Sequence, residues 1–360
     1  SWDKGRAWRG GVVDAIDPRM QGRIAEWRKS GLNIMMSEKS DAKPVSFVED
    51  CAVELKDLAE YTDNLTAIFD RNGVKGTWYA HASVGCLHVR PVLNMKQVGG
   101  AETMRAIAEE AFELVRSFGG SHSGEHGDGI VRSEFNDRMF GPVLPDLFRQ
   151  VKAMFDPQGM FNPGKITDAP KMDDRELFRF APGYEVEDFD SVLDWAAWPG
   201  AAGGFQGAVE MCNNNGACRK LSGGVMCPSY RATRNERDAV RGRANSLRLA
   251  MSGQLGPGAI ASDEMAETMK LCVSCKACKR ECPVGVDMAR MKVEVTAARA
   301  AKHGIPLHDS LIGNLPAYAP LASGLSGLSN LVQSVWRHVP GLASLVSRLT
   351  GFTTNRSLPK

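Results

Sequence analysis

Cysteines are the residues of this sequence whose number and spacing most directly indicate chemistry. The chain has nine in 360 residues, and seven of these fall between residues 212 and 282: Cys212, Cys218, Cys227, Cys272, Cys275, Cys278 and Cys282. Disulfide frameworks are typical of small secreted domains, whereas a tight cluster in a large chain without an export signal indicates metal or cluster ligands in a reducing compartment. We therefore expect a cytoplasmic protein, with peripheral attachment to the inner membrane as an alternative.

Two cysteine runs together predict iron–sulfur clusters. The second run, LCVSCKACKRECPVG, has the bacterial ferredoxin spacing C-x2-C-x2-C-x3-C-P, in which three thiolates bind one 4Fe-4S cluster and the fourth reaches a neighbouring cluster. The first run, CNNNGACRKLSGGVMCPSY, also ends in Cys-Pro. If the runs exchange their last cysteines, one 4Fe-4S site is complete, with the ligands Cys227, Cys272, Cys275 and Cys278.

The other cluster site is one thiolate short. It retains Cys212, Cys218 and Cys282, and Asn215 stands where the ferredoxin spacing has a cysteine. This site predicts either a 3Fe-4S cluster or a 4Fe-4S cluster whose fourth iron takes Asn215, water or another ligand. Zinc is disfavoured because it prefers C-x2-C pairs separated by a longer gap. Two clusters at this spacing predict electron transfer.

Histidines and one carboxylate form a second candidate site. His81 and His88 flank the expected turn in YAHASVGCLHVRPVLN, and Glu125 and His126 lie in the glycine-rich GGSHSGEHGDG. Two histidines and a carboxylate leave coordination positions open, as catalytic divalent-metal sites do; zinc is our first choice, and manganese or iron would accept the same atoms. The alternative is a set of unrelated histidines. We expect His122 on a surface loop.

The first half of the chain must bring these histidines together. Its pattern predicts a strand at 44–50, a helix from Leu55 to Phe69, two strands around the turn at 83–85, and a helix within 101–120. The order strand, helix, strand, strand, helix is most of a ferredoxin-like split βαβ unit. We therefore predict an α+β fold for this first unit.

The second half predicts a small α-helical domain carrying two clusters, with helices in 234–250 and 285–304. We expect the whole chain to divide into four parts. Residues 1–165 form a substrate and metal domain, and residues 166–206 form a connector. Residues 207–304 form a ferredoxin domain, and residues 305–360 form a linker toward a downstream domain. The last segment has no charge from Ser310 to Trp336, but its Gly, Ser, Pro, Asn and Gln disfavour a membrane-spanning helix. A membrane-surface helix is the alternative.

Composition excludes several classes of protein. A hydrophobic content of 43% and a charged content of 24% are ordinary for globular chains and argue against disorder or membrane embedding. With 44 basic and 42 acidic residues, the net charge of +2 gives no reason to expect nucleic acid as a partner. The two remaining cysteines, Cys51 and Cys86, are expected to be small buried residues.

Several motifs carry a family resemblance. HASVGCLHVRP, SGEHGDG and MFDPQGMFNPGKI resemble the C-terminal, substrate-side domain of FAD-linked oxidases of the vanillyl-alcohol oxidase superfamily. The cysteine runs resemble the bacterial subgroup fused to a ferredoxin domain. The resemblance implies an FAD-dependent D-2-hydroxy acid dehydrogenase, with D-2-hydroxyglutarate favoured over D-lactate and glycolate. Electrons would pass through the clusters to an external acceptor such as a quinone, a cytochrome or a flavoprotein. The alternative is a non-catalytic iron–sulfur electron-transfer subunit.

The resemblance also implies roles around the metal. His81, His88 and Glu125 match the family's divalent-metal ligands, which position the hydroxyl and carboxylate of a 2-hydroxy acid. His126 matches the histidine beside the flavin and is the candidate general base, since a neutral imidazole can accept the hydroxyl proton.

Flavin and substrate contacts are implied in the same way. Asn162 matches a residue close to the flavin, and Arg90 and Arg28 match arginines that contact substrate, where a guanidinium suits a carboxylate. The alternative for both arginines is a solvated surface charge. The family's flavin-binding half, with its glycine-rich phosphate loop, is expected to precede this segment, so we expect the segment alone not to hold FAD tightly.

Overall fold

The computed structural model describes residues 13–337, 339, 341–353 and 356. The first described element is α1 (Pro18–Met36), which begins with proline after Asp17, whose side chain accepts a hydrogen bond from the Arg19 backbone N–H. No element is predicted here from the sequence. The physical reason is that α1 buries none of its residues, so its apolar positions do not form a stripe facing a core.

A small antiparallel sheet positions the histidines. Its strands are β1 (Lys43–Pro44), β2 (Cys51–Ala52), β3 (Gly76–His81) and β4 (Cys86–Leu93). The central strand is β4, with β3 paired along one edge and both β1 and β2 along the other. A bridge from Ala52 to Ser121 returns the chain to the β2 edge after the second helix. This is the split βαβ order, so the predicted α+β fold is confirmed.

The strand predicted at 44–50 is wrong in its extent. Only Pro44 belongs to a strand, and the chain turns before β2 begins. An extended strand could not run through Asp50, because its φ of 59° is in the left-handed region. The turn places the Glu49 and Asp50 carboxylates inside the domain.

Two helices cover the sheet. The bounds are Leu58–Arg71 for α2 and Val98–Ser117 for α3, so both predicted helices are confirmed. The predicted inner face of α3 is buried throughout, at Met104, Ile107, Ala108, Ala111 and Val115. These residues share one core with Leu87, Val89 and Leu93 of β4. The helix period thus identifies the side that packs on the sheet.

The chain then passes to a second core. Two short helices follow α3, α4 (Asn136–Phe140) and α5 (Val143–Phe155), and residues 156–201 contain no α-helix or strand. The helical domain comprises α6 (Phe205–Glu210), α7 (Pro228–Thr233), α8 (Val240–Met251), α9 (Asp263–Lys270), α10 (Ala277–Glu281) and α11 (Met288–His303). The helices predicted in 234–250 and 285–304 are confirmed as α8 and α11. The domain boundaries stay predictions.

The segment expected to be a linker contains four helices. They are α12 (Leu307–Gly313), α13 (Leu315–Gly324), α14 (Ser326–Arg337) and α15 (Leu342–Thr350). In α14, Leu328, Leu331 and Val335 recur at helical spacing and are largely exposed. None of the helices within the described ranges is long and apolar enough to cross a membrane. Linker function and peripheral membrane attachment stay predictions.

Candidate active site and iron–sulfur sites

Hairpin register brings His81 and His88 together. His81 pairs with Cys86, and Tyr79 pairs with His88, so the two histidines are diagonal neighbours on one face of the sheet. Their ring centroids are 4.9 Å apart in an edge-to-face arrangement. Gly85 closes the hairpin at a φ of 71°, and a Cβ there would lie 1.9 Å from the Val53 carbonyl oxygen, so the turn requires glycine.

Glu125 completes a cluster with these histidines. Its Oε2 lies 3.3 Å from His88 Nε2 and 3.6 Å from His81 Nε2. One ligand atom from each of the three residues lies within 4.8 Å of the others. His88 is buried, whereas Glu125 is 39% exposed, so the group is closed on one side and open on the other. The atoms suit one divalent cation with free coordination positions.

His126 lies at the edge of this cluster. Its Nε2 is 3.9 Å from Glu125 Oε2, and its ring stacks on His88 at 5.2 Å between centroids. The ring is about half exposed, so a substrate can reach it. A histidine beside a cation site and open to solvent has the position that proton transfer to or from a bound molecule requires.

Asp50 fixes the loop that carries Glu125 and His126. Its Oδ2 accepts hydrogen bonds of 2.7 Å from the backbone N–H groups of both residues, and its Oδ1 accepts one from Arg132. Burial opposes ionisation of Asp50, but these hydrogen bonds outweigh it and lower the pKa of the carboxyl. Oδ1 also lies 3.7 Å from His126 Nδ1. Sequence reasoning missed this residue.

Glu49 lies beside His88, on the Nδ1 side of its ring. It is buried, accepts hydrogen bonds from Arg90 Nη2 at 2.6 Å and the Tyr79 hydroxyl at 3.1 Å, and lies 3.9 Å from His88 Nδ1. Burial raises the pKa of Glu49, but its hydrogen bonds, that from Arg90 foremost, lower it overall. Burial also lowers the pKa of His88, which favours the neutral imidazole that binds metals.

Glu49 gives a second possible metal group, since it forms another close set with His88 and His126. Both sets contain His88. The signal in the sequence for Glu49 and Asp50 is an acidic pair placed directly after the apolar run VSFV. A carboxylate that follows a buried run within a domain is itself a candidate for burial.

The two candidate substrate arginines have different surroundings. Arg90 is 15% exposed and ion-paired with Glu49, so it is not a solvated surface charge. Arg28, on α1, is exposed; its Nη2 lies 3.1 Å from His81 Nδ1 and donates to the Ala80 carbonyl at 3.3 Å. A groove of about 1270 Å³ between α1 and β3 contains Arg28 and opens beside His81. Their substrate roles stay predictions.

Asn162 and His122 lie outside the metal group. Asn162, in the exposed loop after α5, has a φ of 48° and accepts a 3.4 Å hydrogen bond from Lys165. The expectation that His122 lies on a surface loop is wrong, since its side chain is buried. Phe112 and Phe140 pack around its ring, and its Nε2 is 3.1 Å from Asp128 Oδ1.

Cys51 and Cys86 are buried, as expected for small apolar residues. Burial raises the pKa of both thiols to about 11. Neither is a reactive thiolate at neutral pH.

Four cysteines line one cavity in the helical domain. Cys227, Cys272, Cys275 and Cys278 all line it. These are the four that the exchanged runs assign to one cluster. No three cysteine sulfurs in the described chain lie within 4.8 Å of one another. Four sulfurs around one zinc ion would be about 3.8 Å apart, so the arrangement of these sulfurs is not that of a zinc site.

The remaining three cysteines form a second group. Burial raises the pKa of Cys212, and the nearby Cys282 and Cys218 add to this effect. Cys218 Sγ accepts a 3.4 Å hydrogen bond from the Arg241 backbone N–H. The side-chain oxygen of Asn215 accepts the Ala217 N–H at 2.9 Å, so it already has a partner in its own turn.

Comparison with known proteins agrees with this division. Residues 6–166 match the family described as FAD linked oxidases, C-terminal domain, and residues 208–286 match the 4Fe-4S dicluster domain. The chain is 30% identical over 348 residues to a D-2-hydroxyglutarate dehydrogenase of Pseudomonas putida, covering 87% of this chain and 34% of the relative.

Two other relatives are similar over different lengths. The D-2-hydroxyglutarate dehydrogenase of Escherichia coli is 30% identical, covering 83% of this chain and 32% of the relative. A D-lactate dehydrogenase of Archaeoglobus fulgidus is 32% identical, covering 34% of this chain and 27% of the relative. The chain spans about a third of the length of the two D-2-hydroxyglutarate dehydrogenases. With the matched domains and the geometry of both sites, the chain is identified as a C-terminal domain of the FAD-linked oxidases joined to a 4Fe-4S dicluster domain.

Proposed function

We propose that this chain is the metal-binding and cluster-binding part of an FAD-dependent D-2-hydroxy acid dehydrogenase that acts on D-2-hydroxyglutarate. The observation that carries the proposal is the convergence of His81, His88 and Glu125 beside the accessible His126, in one chain with a dicluster domain. The names of the similar proteins support the substrate. The activity is proposed for the complete protein, because the chain spans only about a third of those relatives.

In this proposal each residue of the site has a stated task. His81, His88 and Glu125 would hold a divalent cation, zinc by preference, which would supply a binding point for the substrate hydroxyl and the adjacent carboxylate. His126 accepts the hydroxyl proton at Nε2, and Asp50 orients its ring from the Nδ1 side. FAD, when bound, would supply the acceptor for the hydride that leaves C2 as the alcohol becomes a ketone, and the clusters would provide a route by which its two electrons pass singly to an external acceptor.

The carboxylates of the proposed substrate need positively charged side chains in the groove beside His81. Arg28 is exposed in the groove beside His81, so its guanidinium can turn toward an entering carboxylate. Arg90 is paired with Glu49, which lies beside His88. In this proposal Arg90 therefore acts on the substrate indirectly, by helping Glu49 to hold the metal ligand His88 in place. The flavin contact of Asn162 stays a prediction.

We further propose a 3Fe-4S cluster at Cys212, Cys218 and Cys282. Three thiolates suffice for it, and the oxygen of Asn215 already has a backbone partner. Anaerobically purified protein is therefore expected to contain about seven iron atoms per chain, and Asn215→Cys is expected to raise this to about eight by restoring the ferredoxin spacing. Eight irons before the substitution would contradict the assignment.

The substrate proposal is tested on the complete protein, purified without oxygen. It is mixed with a panel of D- and L-2-hydroxy acids while flavin and cluster absorbance are recorded. We expect D-2-hydroxyglutarate to bleach the flavin first and the clusters second, and the L-enantiomer to leave both unchanged. If no acid bleaches the flavin while dithionite still reduces the clusters, the protein is an electron-transfer subunit instead.

A further inference from the structure

Arg243 is a fully buried cation on α8 that the proposed reaction does not use. Its Nε donates to the Thr268 carbonyl at 2.9 Å, and its Nη1 donates to the Asp238 carbonyl at 2.7 Å and to Ser229 Oγ at 3.1 Å. Its Nη2 has no hydrogen-bond partner. An arginine stays charged in proteins, so burial of an incompletely satisfied guanidinium requires nearby negative charge.

That negative charge is provided by two groups. Asp238 is buried, and its Oδ1 lies 3.6 Å from Arg243 Nη2, too far for a hydrogen bond. Arg243 also lines the cavity of the four cysteines, and its Nη1 lies 3.9 Å from Cys227 Sγ. Four thiolates around one cluster give that cavity a net negative charge when it is filled. The guanidinium therefore lies close both to a carboxylate and to a thiol that lines the cluster cavity.

We propose that Arg243 raises the reduction potential of the 4Fe-4S cluster bound by Cys227, Cys272, Cys275 and Cys278. Reduction adds one negative charge to the cluster, and a buried cation beside Cys227 stabilises the reduced form more than the oxidised form. The effect is strong because the site has little water to screen it. Net charge and hydrogen bonds near the sulfurs are known determinants of cluster potentials. The inference rests on the cluster assignment in the proposed function.

Asp238 makes the proposal more specific. Its carboxylate lies near the guanidinium and opposes the field that the cation produces at the cluster. Removing the positive charge should therefore lower the potential, and removing the negative charge should raise it. A purely structural role for the pair would not give opposite signs, because either substitution would then only disturb packing.

Arg241 offers a matched control on the same helix. Its guanidinium is about one quarter exposed and makes two hydrogen bonds to Glu236, of 2.7 and 2.9 Å. Its charge is therefore compensated and partly screened by solvent. Its charge acts on Cys218 and Cys212, which belong to the other cysteine group, and its hydrogen bond to Cys218 is made by the backbone N–H, which a side-chain substitution retains.

The test is EPR-monitored potentiometry of the complete, anaerobically purified protein, following the cluster signal that Cys275→Ser removes. Arg243→Gln is expected to shift the one-electron equilibrium at least about tenfold toward the oxidised cluster, equivalent to about 59 mV. Arg243→Lys, which keeps the charge, should recover most of the potential. Asp238→Asn should shift the potential upward, and Arg241→Gln should leave it unchanged.

An intact cluster with an unchanged potential in Arg243→Gln would overturn the proposal. The proposal would also fail if the potential shifted in the same direction in Arg243→Gln and in Asp238→Asn. If Arg243→Gln fails to assemble the cluster, the Asp238→Asn variant becomes the deciding test. The absence of an upward shift of the potential in Asp238→Asn would then contradict the proposal. Unsubstituted protein without iron and acid-labile sulfide would instead show that the cluster assignment itself is wrong. The two failures are therefore distinguishable.

Discussion

Replacing His126 by Ala in the complete protein is expected to slow substrate-driven flavin reduction by about 10²–10⁴-fold, the usual contribution of a general base. The imidazole is half exposed and stands beside the Glu125 carboxylate, where it can take the hydroxyl proton of a metal-bound substrate. Metal and iron content should not change, because His126 belongs to neither the His81 group nor the cysteine groups. Stopped-flow measurement of flavin absorbance checks the rate.

Two further variants sharpen this test. His303→Ala removes an exposed histidine at the end of α11 and should leave the rate unchanged. Asp50→Asn keeps the shape of the side chain that orients His126 but removes its charge, so we expect a smaller loss of rate than in His126→Ala. An unchanged rate in His126→Ala would exclude it as the base.

Replacing His88 by Gln is expected to remove the divalent metal and abolish substrate-driven flavin reduction. His88 is the buried member of the metal group, and it also belongs to the alternative group with Glu49 and His126. A neutral imidazole fixed between two carboxylates binds a cation far better than an amide does. Elemental analysis after dialysis should show that the metal content falls from about one ion per chain to near zero.

Single-residue variants separate the two possible metal groups. His81→Ala should lose the metal and His126→Ala should keep it if the ion binds at His81, His88 and Glu125. The reverse result would indicate that the ion binds at Glu49, His88 and His126 instead. Tyr79→Phe is the matched control, because it keeps the ring stacked 4.8 Å from His88 and loses only the hydroxyl contact with Glu49. It should retain the metal.

Spacing along the chain was sufficient to predict what depends on local geometry. The cysteine runs predicted two cluster groups because short turns bring sulfurs three residues apart to one place. The hairpin around 83–85 and the buried face of α3 follow from periods of two and 3.6 residues, which are properties of the backbone itself. His81 and His88 were brought together by the hairpin register alone.

Tertiary structure decided which polar groups are buried and what they contact. The Asp50 turn and the pairing of Arg90 with Glu49 both involve partners distant in the chain, since Arg132 lies 82 residues from Asp50 and Arg90 lies 41 residues from Glu49. A residue's type indicates the average cost of burying it, but only the folded chain provides the hydrogen bonds that offset this cost. Sequence therefore predicted the candidate ligands, and the fold determined which residues lie against them.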